Sequence, residues 1–132
     1  MNDTIIVTGG AGFIGSNFVL SWIAKMNSPV VNLDALTYAG NRRNLVSLDQ
    51  DSRHVLVKGD ICDEATVAAL FKDHRPRAIV HFAAESHVDR SISGPGAFVQ
   101  TNVFGTFSLL QAAKAYWNTL EGEDKADRKS VV

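Results

Sequence analysis

The chain has 132 residues, about the size of one small domain, and its 45% apolar and 20% charged residues are an ordinary globular balance. A net charge of −1 gives no electrostatic reason to expect nucleic acid or a membrane as partner, and the single cysteine, Cys62, excludes an internal disulfide and a cysteine zinc cluster. No run approaches the roughly 18 apolar residues of a spanning helix and no basic, apolar leader opens the sequence, so a soluble cytoplasmic protein is expected.

Strand and helix signals alternate from the start. Thr4 to Thr8 (TIIVT) is a short β-branched run suited to a strand buried on both faces. It breaks at Gly9-Gly10 and gives way to a helix. There Phe13, Ile14, Phe18, Trp22, Ile23 and Met26 recur at helical spacing, so they are expected to pack one face onto a sheet. Asn27-Ser28-Pro29 stops the helix, and Val30 to Leu33 reads as a second strand ending at Asp34. A polar loop with Gly40-Asn41-Arg42-Arg43 follows, and then a third strand at His54 to Lys58. Asp63 is the expected N-cap of a helix carrying Val67, Leu70 and Phe71, which ends at Pro76.

Ala78 to Phe82 is the fourth strand, and Ser91 to Gly96 is expected to be a loop. The longest helix is predicted from about Ala97 to Trp117, with Phe98, Val103, Phe104, Phe107, Leu110 and Ala113 turned inward. A charged, exposed tail from Glu121 to Lys129 precedes Ser130, where a fifth strand could start. Strands separated by helices imply right-handed βαβ units and a parallel sheet. The fold class is therefore α/β, a Rossmann-type doubly wound parallel sheet, of which residues 1–132 hold the first mononucleotide half and the beginning of the second.

Gly10, Gly12 and Gly15 fit G-x-G-x-x-G, and Gly9, Gly12 and Gly15 fit the related G-x-x-G-x-x-G, between the first strand and first helix. Dinucleotide chemistry asks for glycine there, for a tight turn and close backbone approach to a pyrophosphate, with the helix N-terminus facing the phosphates. Asp34 closes the second strand 19 residues after Gly15, near the spacing of a carboxylate that accepts ribose hydroxyls. Ser16-Asn17 stands where a Walker loop needs Lys-Ser/Thr. NAD is the expected cofactor, since Asp34 would repel a 2′-phosphate; Arg42 and Arg43 keep NADP in view.

The longer strings TGGAGFIGSNF (Thr8 to Phe18), LDALTYAGNRRNL (Leu33 to Leu45), GDI (Gly59 to Ile61), HFAAESHVDRSI (His81 to Ile92) and TNVFGT (Thr101 to Thr106) resemble the extended short-chain dehydrogenase/reductases. Within these the sequence is most similar to the dTDP-glucose 4,6-dehydratase branch. The resemblance implies that Phe13 and Ile14 present N–H groups to the pyrophosphate. It puts Asp34, Ala35, Leu36 and Thr37 around the adenosine ribose and Asp60 with Ile61 beside the adenine. Phe82, Ala83, Ala84, Glu85 and Ser86 would line the nicotinamide side, Thr101 with Asn102 beside it would complete the pocket, and Ser86 would also approach a sugar-nucleotide substrate.

Plainer roles compete with these. Phe82, Ala83 and Ala84 would serve equally as strand core, Asp60 as a turn residue, and Asn102 as a satisfied amide in a helix. Asp89 and Arg90 read as a structural pair. His81 and His87 have no third ligand or carboxylate at a convincing spacing, so no metal is expected.

The resemblance also implies the reaction: hydride removal at glucose C4, loss of water across C5 and C6, and hydride return to C6, with no net redox change. It asks for Y-x-x-x-K, a Thr and an Asp-Glu pair. Tyr38 and Tyr116 are the only tyrosines, followed four residues on by Arg42 and Leu120. No catalytic residue is therefore assigned to this chain, which by itself should be inactive, although its parent is expected to be an NAD-dependent lyase in deoxysugar biosynthesis and a homodimer. A UDP-sugar 4-epimerase, another sugar-nucleotide dehydratase and a non-catalytic NAD-sensing module are the alternatives.

Overall fold

The computed structural model describes residues 3–37, 40–85, 88–127 and 129–131. Five parallel strands, β1 (Ile5–Thr8), β2 (Val30–Asp34), β3 (His54–Lys58), β4 (Ala78–His81) and β5 (Lys129–Val131), lie in the order β3-β2-β1-β4-β5. The doubly wound arrangement read from the sequence is thus present, with the fifth strand forming where Ser130 suggested it. β1 is central and aligns Ile5 with Val30 on one side and with Ala78 on the other. All four of its residues are buried, as two covered faces require.

Two cores flank the sheet. On one face Ile5, Val7 and Val30 pack with Val19 and Ile23 of α1 (Phe13–Met26) and with Leu45 and Leu48. On the other, Ile6, Val31, Leu33 and Ile79 pack with Val67, Leu70 and Phe71 of α2 (Glu64–His74) and Leu109. The caps follow local chemistry. Asp63 accepts from the Thr66 N–H at 3.3 Å, as its position before α2 led one to expect. Asn27 ends α1 in the left-handed region at φ 50, and Arg53 Nη1 donates to its side-chain oxygen at 2.8 Å.

Three expectations are corrected. The buried face of α1 is Gly15, Ser16, Val19 and Ile23; Phe13 is 81% exposed and Ile14 68%, and Met26 is exposed too. The helix begins beyond the end of β1, so its first turn overhangs the sheet. A 3-10 helix, Arg42–Leu48, replaces the rest of the loop after Gly40, capped by Asn41 and anchored by buried Leu45 and Leu48. Val88–Ser93 and Pro95–Phe98 form two short helices, α3 and α4, where a loop was expected. Pro95 takes the first helical turn, where its missing N–H costs nothing.

The long helix also differs from its sequence reading. It is a π-helical segment, Val99–Gly105, running into α5 (Thr106–Asn118). Its buried face is Gly105, Ser108 and Leu109, whereas Val103, Phe104, Phe107 and Leu110, expected inside, are exposed. Small residues win the inner face because the helix lies close: a Cβ on Gly105 would meet Ile61 Cδ1 at 2.6 Å. Tyr116 stacks on Phe71 with centroids 5.2 Å apart and donates its hydroxyl to Pro76 O. Of the charged tail, residues 121–126 are largely exposed, as expected, and Gly122–Asp127 forms α6, with Lys125 Nζ 4.2 Å from the Trp117 ring centroid.

Candidate functional site: a cleft at the strand switch point

The chain leaves β1 for β2 on one side and places β4 on the other, so the carboxyl ends of β1 and β4 part at a topological switch point. A cavity of about 150 Å³ opens there. Its glycine-loop wall is Gly9, and Leu33, Asp34, Ala35 and Thr37 enter from the end of β2. Gly59, Asp60 and Ile61 come from the end of β3, Ala83, Ala84 and Glu85 from the end of β4, and Thr101 from the π-helical segment. Four strand ends and a helix therefore converge on one space.

The glycine loop has the shape its sequence called for. Gly9 sits at φ +70, and a Cβ there would lie 2.6 Å from Ala83 N, so only glycine lets the β1 turn pass the β4 exit this closely. Gly12 is the N-cap of α1, and with no side-chain cap and no acidic residue in the first turn the Phe13 and Ile14 N–H groups keep the positive helix end open. Asn32, fully buried in β2, accepts from Gly10 N at 2.9 Å and steadies the loop from below.

Asp34 is 7% exposed and is held from two sides. Its Oδ2 accepts from Ala11 N at 2.8 Å and its Oδ1 from Leu36 N at 2.7 Å. Each oxygen retains a lone pair, so the carboxylate can accept a further hydroxyl while its orientation stays fixed. Leu36 reaches Asp34 by adopting φ 55, and Ala11 O in turn accepts from Asn41 N and Asn44 Nδ2. Arg42 and Arg43 are exposed at the start of the 3-10 helix. Asp60 Oδ1 accepts from Cys62 N at 2.8 Å. Burial, followed by the Asp60 carboxylate, pushes the Cys62 thiol up, away from nucleophilic thiolate character.

The β4 exit is fixed by side chains whose part in it the sequence reading did not assign. Phe82 N donates to Thr8 O and Ala83 N to Thr8 Oγ1. His81 bridges Thr8 Oγ1 at 2.5 Å and Thr106 Oγ1 at 3.0 Å through its two ring nitrogens. Burial pushes its pKa down, so it stands neutral at pH 7 and both nitrogens are engaged within the protein. Thr8 and Thr106 carry no sequence signal beyond lying in the strings quoted above. Their pairing with His81 is a tertiary fact.

Not every expected residue meets the cavity. Phe82 turns its ring to the opposite face, 5.4 Å from Phe18, and Leu36 packs against that same core. Phe13, Ile14, Gly12 and Gly15 border the cleft through the turn and first helical residues rather than lining it. Ser86, His87 and Tyr38 lie outside the described residues. Among the described residues no group of three His, Cys, Asp or Glu side chains could hold a metal ion, and no helix is long and apolar enough to cross a membrane.

Known proteins contain a stretch similar to this chain. The sequence profile of the GDP-mannose 4,6 dehydratase family matches residues 6–126. A dTDP-glucose 4,6-dehydratase of Xanthomonas campestris pv. campestris (strain B100) is 60% identical over 117 residues, 89% of this chain and 33% of the relative. The crystal structure of the dTDP-glucose 4,6-dehydratase DesIV from Streptomyces venezuelae, with NAD bound, superposes with a TM-score of 0.78 at 52% identity, covering 86% of this chain and 36% of that one. A UDP-glucose 4-epimerase from Thermotoga maritima superposes with a TM-score of 0.75 at 33% identity, over 86% of this chain and 34% of that one. The chain thus spans about a third of the length of the curated relatives it matches.

Proposed function

The chain belongs to the GDP-mannose 4,6 dehydratase family, and on that premise we propose that it is the NAD-binding part of an enzyme converting dTDP-glucose to dTDP-4-keto-6-deoxyglucose. The observation that carries the reading is the cleft at the β1/β4 switch point, with an open helix end and an oriented carboxylate, Asp34, on one rim. The chain is 40–60% identical to dTDP-glucose 4,6-dehydratases and 30–33% identical to UDP-glucose 4-epimerases, which favours dehydration over epimerisation.

The residues fit NAD, which when bound supplies a hydride acceptor that is restored within the same turnover. Phe13 and Ile14 N–H groups meet the pyrophosphate at the helix end, where the dipole favours negative charge. Asp34 accepts the adenosine ribose hydroxyls, with Ala35 and Thr37 beside it and the Leu36 N–H orienting its carboxylate, and its charge turns away a 2′-phosphate. Asp60 and Ile61 flank the adenine. Ala83, Ala84 and Glu85 face the nicotinamide and Thr101 closes the pocket, and the resemblance to the family assigns Ser86 to the nicotinamide and to the sugar nucleotide.

None of these groups removes the proton from a C4 hydroxyl or serves as acid and base for the elimination, so the chain by itself is inactive. The parent protein works in the cytoplasm as a homodimer associating through the exposed apolar face Val103, Phe104, Phe107 and Leu110. Calorimetric titration of the purified protein with NAD tests the core of the reading. Binding at micromolar NAD is expected, with no 4-keto-6-deoxy product when dTDP-glucose is added to this chain alone. No detectable binding would refute it.

A further inference from the structure

Resting on the NAD reading, we propose that Asn102 is a positioning residue, whose side-chain amide holds the Glu85 peptide and thereby sets the nicotinamide-side wall of the cleft. Asn102 Oδ1 accepts from Glu85 N at 2.7 Å, and Asn102 Nδ2 donates to Glu85 O at 2.9 Å. A carboxamide offers the same donor and acceptor as a peptide. Two bonds to the N–H and C=O of a single residue are what an antiparallel strand neighbour would make.

β1, which ends at Thr8, supplies no such neighbour at this point. β4 pairs with β1 as far as His81, and Thr8 then supplies its carbonyl to Phe82 N and its hydroxyl to Ala83 N. Beyond Thr8, β1 turns away through Gly9 at φ +70 and has nothing further to offer. Glu85 lies past that limit and lines the cavity. The Asn102 amide makes those two bonds to Glu85 instead.

The geometry of the helix serves the same end. Asn102 sits inside the π-helical segment Val99–Gly105, whose wider turn rotates side chains away from their α-helical directions. The segment is itself pinned to the loop after β3. Cys62 Sγ donates to Gln100 O at 3.4 Å, and Gly105 lies so close to Ile61 that a Cβ would not fit. One stretch of backbone therefore ties the adenine-side loop to the nicotinamide-side loop. Asparagine is a mediocre helix former, so its presence here is explained by the clamp and not by helix propensity.

The test compares NAD with ADP-ribose, which keeps the adenosine and pyrophosphate and lacks the nicotinamide. In Asn102→Asp, which has the same shape, the donor is lost and a negative charge faces the Glu85 carbonyl. NAD affinity should fall about tenfold, while ADP-ribose affinity stays within about twofold of the parent. Asn102→Ala should behave alike. Equal losses for both ligands would show a role in stability alone and overturn the proposal, as would an unchanged NAD affinity. If the unsubstituted protein binds neither ligand, the cofactor reading falls and the proposal with it. Should the variants fail to fold, hydrogen exchange in the unsubstituted protein decides the clamp: a protected Glu85 amide is expected, and free exchange refutes it.

Discussion

Gly9→Ala should destabilise the protein strongly, whereas Gly96→Ala, the same chemical change on α4, should not. At Gly9 the backbone is left-handed at φ +70, a conformation that costs an alanine roughly 1–2 kcal/mol. The added methyl would also stand 2.6 Å from Ala83 N and 2.8 Å from Phe82 C, both backbone atoms of the β4 exit. Ala83 N is hydrogen-bonded to Thr8 Oγ1 and Phe82 N to Thr8 O, so this backbone does not give way as a side-chain tip would. Overpacking of this kind adds about 1–3 kcal/mol, for a total of about 3 kcal/mol. At Gly96 a Cβ meets nothing within 4 Å, and the helical alanine should gain about 0.5 kcal/mol. Urea denaturation of the three proteins measures both, and in thermal unfolding Gly9→Ala should lose roughly 10 °C. If both variants shift alike, or Gly9→Ala stays within about 0.5 kcal/mol of the parent, the account of the β1/β4 crossing is refuted.

Asp34→Asn should narrow an at least roughly tenfold preference of the full-length protein for NAD over NADP, read by titrating both into the apo protein; equal affinities before substitution would remove Asp34 from the ribose site. Asp51 is held at about 2, below its usual 3.8, chiefly by the side-chain hydrogen bonds from Arg53. Its folded pKa lies below the unfolded one, so its contribution is complete above about 3.8 and is lost as pH falls through about 2. The stability gap between the parent and Asp51→Asn should close over that window, and a gap constant with pH would contradict the pairing. Phe107→Glu on the exposed face of α5 should turn a dimeric full-length protein monomeric in sedimentation at micromolar concentration, while a dimer that persists would place the interface elsewhere.

The strands were legible because each is a short β-branched run bounded by Gly, Pro or Asp, and β3 agrees with its expected limits of His54 and Lys58. Gly9 was read from the glycine motif and Asp34 from its spacing to that motif at the end of β2, whereas Asp60 rested on the resemblance to the family alone. Helix faces were not. In α1 and α5 apolar residues cover more than one side, and periodicity alone cannot tell the face that meets the sheet from the one that overhangs it or faces outward. Gly105, Ser108 and Ala112 mark the inner side of α5 by their smallness, a signal a reading that seeks bulky residues passes over. The 3-10 helix was hidden by Arg42-Arg43-Asn44, although Leu45 and Leu48 recur at its three-residue period. Asn102 bonds the Glu85 backbone and Thr8 meets the Ala83 N–H and the His81 ring, contacts between distant residues that no sequence pattern announces.

The central position of β1 has a consequence for the order in which the molecule assembles. Ile5 meets Val30 after a span of 25 residues but Ala78 only after 73. Closing the longer loop costs about 1 kcal/mol more in chain entropy, so β1, β2 and β3 can come together before β4 inserts beside them. The nascent chain then carries the glycine turn and Asp34 on a preformed three-stranded ribbon whose free β1 edge awaits its neighbour. Until β4 docks, that edge is an unprotected template for pairing with other chains, and the same docking event that silences it also builds the second wall of the cleft.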